Sequence, residues 1–97
     1  MSKNKWRLPK RWELVKAYEE EVEGLNSCFY WSSSENISNS SEAWFVYFSN
    51  GITYSNTKTD EYYVRCVKTT KKGKLKWKKS VGPLDWNEAV KYAESLN

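Results

Sequence analysis

Ala43-Trp44-Phe45-Val46-Tyr47-Phe48-Ser49-Asn50-Gly51 is the stretch on which the fold turns. Its first six residues alternate, with Trp44, Val46 and Phe48 on one face and Phe45 and Tyr47 on the other. A strand that is apolar on both faces belongs inside a sheet, covered from both sides. Asn50-Gly51 then gives the strongest short hairpin signal, because a type I′ turn needs positive φ at both central residues. The spacing predicts that Ile52 to Ser55 returns as the partner strand.

Working outward, Cys28-Phe29-Tyr30-Trp31 reads as a short strand. Ser32 to Glu42 holds six Ser and two Asn in eleven residues and reads as an exposed loop. Asn36 and Asn39 head glycosylation sequons, which carry weight only in a secreted chain. Downstream, Tyr62 to Lys68 forms a further strand, with Tyr63, Arg65 and Val67 alternating against Tyr62, Val64 and Cys66. A turn at Lys71-Lys72-Gly73 leads into Lys74-Leu75-Lys76-Trp77-Lys78, with Leu75 and Trp77 inward and the lysines outward. Pro83 closes that segment.

Two helices flank these strands. Trp6-Arg7-Leu8-Pro9 is extended, since the residue before Pro avoids the α region. From Lys10 to Val22, Leu14, Val15, Tyr18 and Val22 recur at helical spacing, and Gly24 is a natural stop. Lys10 stands where a capping side chain would help, so this helix has no ordinary N-cap. Asp85-Trp86-Asn87-Glu88 has the form of a capping box. The helix after it sets Trp86, Ala89, Val90, Ala93 and Leu96 on one face. The class is α+β, two helices packed on a small antiparallel sheet of four to six strands.

At 97 residues the chain makes one domain, 1–97, with one modest core. Apolar residues are 39% and aromatics 16%, so a few large rings must build that core. Trp31, Trp44, Trp77 and Trp86 are assigned to it. No apolar run reaches the length of a membrane span. The start, MSKNKWRLPKR, has no apolar signal core. The expected location is therefore the cytoplasm of a bacterial host, with secretion only if a signal is missing from this chain.

The net charge of +4 hides a segregation. Residues 1–16 and 68–79 together carry 13 Lys/Arg and one acid, Glu13, or +12. The remaining 69 residues carry three basic and eleven acidic groups, or −8. Such asymmetry points to an anionic partner. Candidate binding residues are Lys68, Lys71, Lys72, Lys74, Lys76, Lys78 and Lys79, joined by Lys5 and Arg7 and, as a stacking aromatic, Tyr54. Lys3, Lys10 and Arg11 extend the second cluster, and Tyr62 and Tyr63 divide between stacking and core. Residues 32–42 and 55–61 are read as the long polar loops.

Evidence for catalysis is thin. With no His, a Cys nucleophile lacks its usual base. A carboxylate pair of Glu13 with Glu35 or Glu42 has no support in spacing. Four isolated glycines make no phosphate loop, and Asp85-Trp86-Asn87 is better explained as a helix cap than as a calcium site. No enzyme activity, cofactor or metal is expected. Cys28 and Cys66 allow one disulfide, although a chain without a signal favours free thiols.

Trp6-Arg7-Leu8-Pro9, Tyr30-Trp31-Ser32-Ser33, Ala43-Trp44-Phe45-Val46 with Phe48-Ser49-Asn50-Gly51, and Tyr63-Val64-Arg65-Cys66-Val67 occur in that order. Together they resemble the Lcl C-terminal domain family, named after a bacterial collagen-like adhesin. The resemblance implies a C-type-lectin-like fold and, by precedent, binding of sulfated glycosaminoglycans. Family members usually open with a strand and helix that here match residues 74–97 at the end, so the sequence looks circularly permuted. A single-chain permutant, a homo-oligomer that swaps residues 74–97, and a fragment of a tandem array are all compatible with this order. The family often carries a Cys where Ala93 stands, and the disulfide it would make to Cys66 is absent.

The function expected from these features is a non-catalytic module that binds an anionic polymer, either a sulfated glycan or a nucleic acid, through its lysines. The alternative is a phage- or prophage-encoded intracellular inhibitor or adaptor that contacts a host protein such as a CRISPR effector.

Overall fold

The fold is described from a computed structural model, over residues 5–21 and 28–97. In chain order it comprises α1 (Arg11–Glu19), β1 (Phe29–Glu35), β2 (Glu42–Tyr47), β3 (Ile52–Thr57), β4 (Tyr62–Val64), β5 (Val67–Thr69), β6 (Leu75–Trp77), β7 (Val81–Leu84) and α2 (Trp86–Ser95). The class is α+β. Five strands form one sheet in the order β3-β2-β1-β4-β7, and β5 and β6 form a separate hairpin. The sheet is mixed rather than antiparallel throughout, because β1 and β4 run parallel with Tyr30 opposite Tyr63.

β2 is central, between β3 and β1, and its two faces feed two cores. On one face Val46 and Phe48 join Tyr30 of β1 beneath Leu14 and Ala17 of α1. On the other, Ala43 and Phe45 join Trp31 and Val64 beneath Ala89 and Ala93 of α2. Tyr30 and Trp31 are both fully buried on opposite faces, as adjacent residues of a covered strand must be. Trp44, Trp77 and Trp86 are half-buried. The whole expected face of α2 packs into the second core, and Asp85 and Glu88 cap each other's backbone at 2.8 and 3.0 Å.

Several boundaries differ from expectation, each for a local reason. Ser32 to Glu35 are not loop but the end of β1. Ser32 is fully buried, its hydroxyl donates to the Trp44 carbonyl at 2.7 Å, and its own carbonyl accepts from Trp86 Nε1 at 2.9 Å. A bulge sets four steps on β1, Trp31 to Glu35, against two on β2, Phe45 to Ala43. The true loop is 36–41, where Asn36 and Asn39 fold back on the backbone amides of Ser38 and Ser41. The other expected loop, 55–61, begins inside β3. Tyr62 to Lys68 is two strands, broken where Arg65 Nε donates to the Lys78 carbonyl. Pro83 does not end the strand region but lies in β7, an edge strand where its missing N–H costs no ladder bond.

The hairpin after β2 closes through four residues rather than two. Asn50 keeps negative φ and Gly51 alone takes +72°, so the turn is not type I′. Gly51 N–H donates to the Tyr47 carbonyl at 2.7 Å, and the Asn50 side chain accepts from Ile52 N–H at 2.9 Å. A Cβ on Gly51 would stand 2.5 Å from the Tyr18 ring, which sits edge-on against Phe48. Gly51→Ala therefore combines left-handed strain with displacement of that ring. It is expected to cost about 2 kcal/mol, read as a fall in Tm of roughly 10 °C.

Val22 and Gly24, expected to finish the first helix, lie outside the described residues, as does Lys3. Residues 74–97 fold back on their own chain. β7 pairs with β4, and the Asn97 side chain accepts from Trp6 N–H at 2.7 Å while donating to the Trp6 carbonyl at 3.0 Å.

Candidate functional site

The site is built around the β5–β6 hairpin. Val67, Lys68 and Thr69 stand opposite Trp77, Lys76 and Leu75, so two of the lysines face each other across the ladder. At the tip Thr70 and Lys74 close the turn, with Gly73 at φ +79°. Lys71, Lys72, Lys74, Lys76 and Lys79 are exposed; Lys68 and Lys78 are half-buried. The last two set their ammonium groups 4.8 and 4.9 Å from the centre of the Trp6 ring, a cation–π clamp at the hairpin's root. Among the described residues the ion pairs are Arg7–Glu13 and Lys58–Glu35, and neither uses a hairpin lysine. Among the described residues the cluster is thus charge without an ion-pair partner, held on a short ladder.

Arg7 serves a different purpose. Its backbone pairs with Val67 through two 2.9 Å hydrogen bonds, which adds the N-terminal segment to the hairpin. Its guanidinium grips the Glu13 carboxylate bidentately at 2.8 and 2.9 Å and reaches Thr69 Oγ1 at 3.4 Å. Glu13, 3% exposed, also accepts from Lys10 N–H at 2.7 Å, which supplies the helix start that Lys10 cannot cap. Burial alone pushes the Glu13 carboxyl up, but the Arg7 and Lys10 hydrogen bonds and their positive charge outweigh it and hold it below the usual range. Arg7 is correspondingly raised by its hydrogen bonds to Glu13. Arg7 is thereby committed to fixing α1 against the hairpin.

Between α1 and the hairpin lies a groove of about 760 Å³, with Arg7 and Glu13 of this clamp in its lining. Lys10, Trp12 and Lys16 line it from the helix, and Lys74, Leu75 and Trp77 from the hairpin. Trp12 is 59% exposed and also borders a second groove that runs toward Thr53 of β3. Sequence reasoning missed Trp12. The available signal was its position off the Leu14, Val15, Tyr18 face, which leaves an indole with no core assignment.

Tyr54 is not brought to the lysines. It lies on β3, the edge strand of the large sheet, and stacks on Phe45 at 5.7 Å. Its face carries a row of Phe29, Tyr47 and Ile52 in register, with Phe29 and Ile52 exposed. Tyr62 joins these rings and accepts from Asn56 Nδ2 at 3.0 Å, and burial pushes its hydroxyl pKa up. Tyr63 packs into the α1-side core. Lys5 is exposed. Arg11 is drawn over the Trp44 ring at 4.4 Å.

The carboxylates do not pair with one another: Glu13 binds Arg7, Glu35 binds Lys58, and Glu42 accepts from Ser55 and Asn36. Both thiols are free. Cys66 is buried, and desolvation pushes it up to about 11. β1 and β4 are neighbours, yet Cys28 lies two residues before Tyr30 and Cys66 three after Tyr63, so they fall at opposite ends of the pair. Among the described residues no cluster of acidic and sulfur side chains could hold a metal. No described helix is long and apolar enough to cross a membrane.

The features define an α+β domain with a two-faced sheet, a lysine-rich hairpin and an aromatic-rimmed groove beside it. The chain belongs to the Lcl C-terminal domain family, which matches residues 1–68. The match ends inside β5, so β6, β7 and α2 lie beyond it. No curated protein and no solved structure matches the chain.

Proposed function

We propose that this domain is a non-catalytic binding module for an anionic polymer, contacted by the β5–β6 hairpin. The observation that carries the reading is the hairpin itself, where Lys71, Lys72, Lys74 and Lys76 are exposed and take part in neither ion pair of the described residues. Like charges held close together repel one another and gain most from a polyanion, whose condensed counterions are released on binding. The scaffold in this reading is C-type-lectin-like. Residues 74–97 are the family's opening strand and helix moved to the end, which the Asn97 pairing with Trp6 supports by bringing the last residue to the WRLP segment.

Retention on immobilised heparin and binding of single-stranded nucleic acid, each measured between about 0.05 and 0.3 M salt, test the reading. Log affinity should fall linearly with log salt, with a slope near −3 or steeper for the nucleic acid. Absence of binding to both polymers, or binding indifferent to salt, overturns it.

A second reading, a protein-binding adaptor or inhibitor, draws on the other side of the molecule. The in-register row Phe29–Tyr47–Ile52 beside Tyr54 leaves part of the sheet face open where α2 does not cover it. One stoichiometric protein recovered with the domain, and lost on Ile52→Asp, is its expected signature.

A further inference from the structure

Among the described residues Trp12 belongs to neither core cluster. The buried face of α1 is served by Leu14 and Ala17, and Trp12 keeps 59% of its surface in water. Lys16, four residues on, shares its side of the helix. Across the groove, Lys74 stands at the hairpin turn, and Leu75 and Trp77 form an apolar wall. The groove's volume, about 760 Å³, is in the range of small-molecule sites. An exposed indole, an apolar wall and cations on both rims together call for a ligand that is flat, aromatic and anionic.

We propose that this groove takes a nucleotide unit of a single-stranded nucleic acid, with its base stacked on Trp12 and its phosphates against Lys10, Lys16 and Lys74. The proposal rests on the anionic-polymer reading and narrows it. A duplex hides its base faces, so an indole platform selects unpaired bases. A sulfated glycan meets an indole only through its C–H faces, and its denser charge faces the Glu20 carboxylate lining the groove. A strand carries one charge per unit, and its base edges present N–H donors that a carboxylate accepts.

The test uses the full chain, a fluorescent single-stranded oligothymidylate, an abasic strand of equal length, and heparin. Wild type should bind the oligothymidylate more tightly than the abasic strand. Trp12→Ala should weaken oligothymidylate binding about 10-fold with an unchanged salt slope, and leave abasic-strand and heparin binding within twofold. Trp12→Leu, which keeps apolar bulk without the indole face, should behave the same and guards against a folding defect in the Ala variant. Equal losses on all three ligands, or no loss on oligothymidylate, overturn the proposal. Heparin binding without oligothymidylate binding overturns it while the anionic-polymer reading stands; binding to neither overturns both.

Discussion

Replacing Glu13 with Ala is expected to lower stability by about 3 kcal/mol, a fall in Tm of more than 10 °C. A domain of this size holds about 5–15 kcal/mol in all, so the loss is a large share. Two effects add. Arg7 is left beside the hairpin without its bidentate partner, and the Lys10 N–H at the start of α1 loses its acceptor. The low end of the range for breaking a buried pair applies, because a third of the Arg7 side chain stays in water. Glu13→Gln keeps the shape and the Lys10 hydrogen bond and should lose roughly half as much.

Acid should reproduce the effect in the wild type. The folded state holds the Glu13 carboxyl below its ordinary value. Its contribution is therefore complete above about pH 4.3 and is lost as pH falls through the lower, folded value. Thermal melts followed by circular dichroism at pH 7 and pH 3 should show the gap between wild type and Glu13→Gln narrowing at acid pH. A Glu13→Ala protein that melts within about 2 °C of wild type at pH 7 would show that the clamp is dispensable.

How legible this architecture was in the sequence follows from the range of the forces involved. Local signals read true: the two-faced alternation of β2, the capping box at Asp85, the Leu75/Trp77 alternation and the apolar face of α2 each need only neighbouring residues to be recognised. The failures involve side-chain partners that alternation and spacing do not reveal, near in the chain for Arg7 and far along it for Ser32. The serine run of β1 looked like loop because the hydroxyl and carbonyl of Ser32 are satisfied by Trp44 and Trp86, more than ten and more than fifty residues away. Arg7 looked like a ligand-binding cation because its partner sits on a helix whose N-terminus seemed to lack a cap. The hairpin at Asn50-Gly51 was correct in place but wrong in type, since Tyr18 and the Asn50 side chain shape the turn. The candidate site divides the same way. Its lysines were visible as composition, whereas the groove and Trp12's place on its rim exist only once Arg7 and Glu13 fix α1 against β5.

The quadruple substitution of Lys71, Lys72, Lys74 and Lys76 by Gln should abolish most polymer binding while leaving the fold intact. All four are exposed, and none enters an ion pair among the described residues, so Tm should move by no more than a few degrees. If each neutralises one phosphate of a single strand, their removal makes the log–log salt slope shallower by about 3. Extrapolated from 1 M to 0.1 M salt, that slope corresponds to a loss of about 10²- to 10³-fold in affinity. Lys91→Gln, an exposed lysine on α2 away from the hairpin, serves as the control and should leave the slope unchanged and the affinity within about twofold. The slope is the decisive readout, because a general loss of net charge would weaken binding a little for any lysine removed. Only contact at the hairpin predicts that four lysines there account for most of the salt dependence. An unchanged slope in the quadruple variant would move the binding surface elsewhere on the molecule.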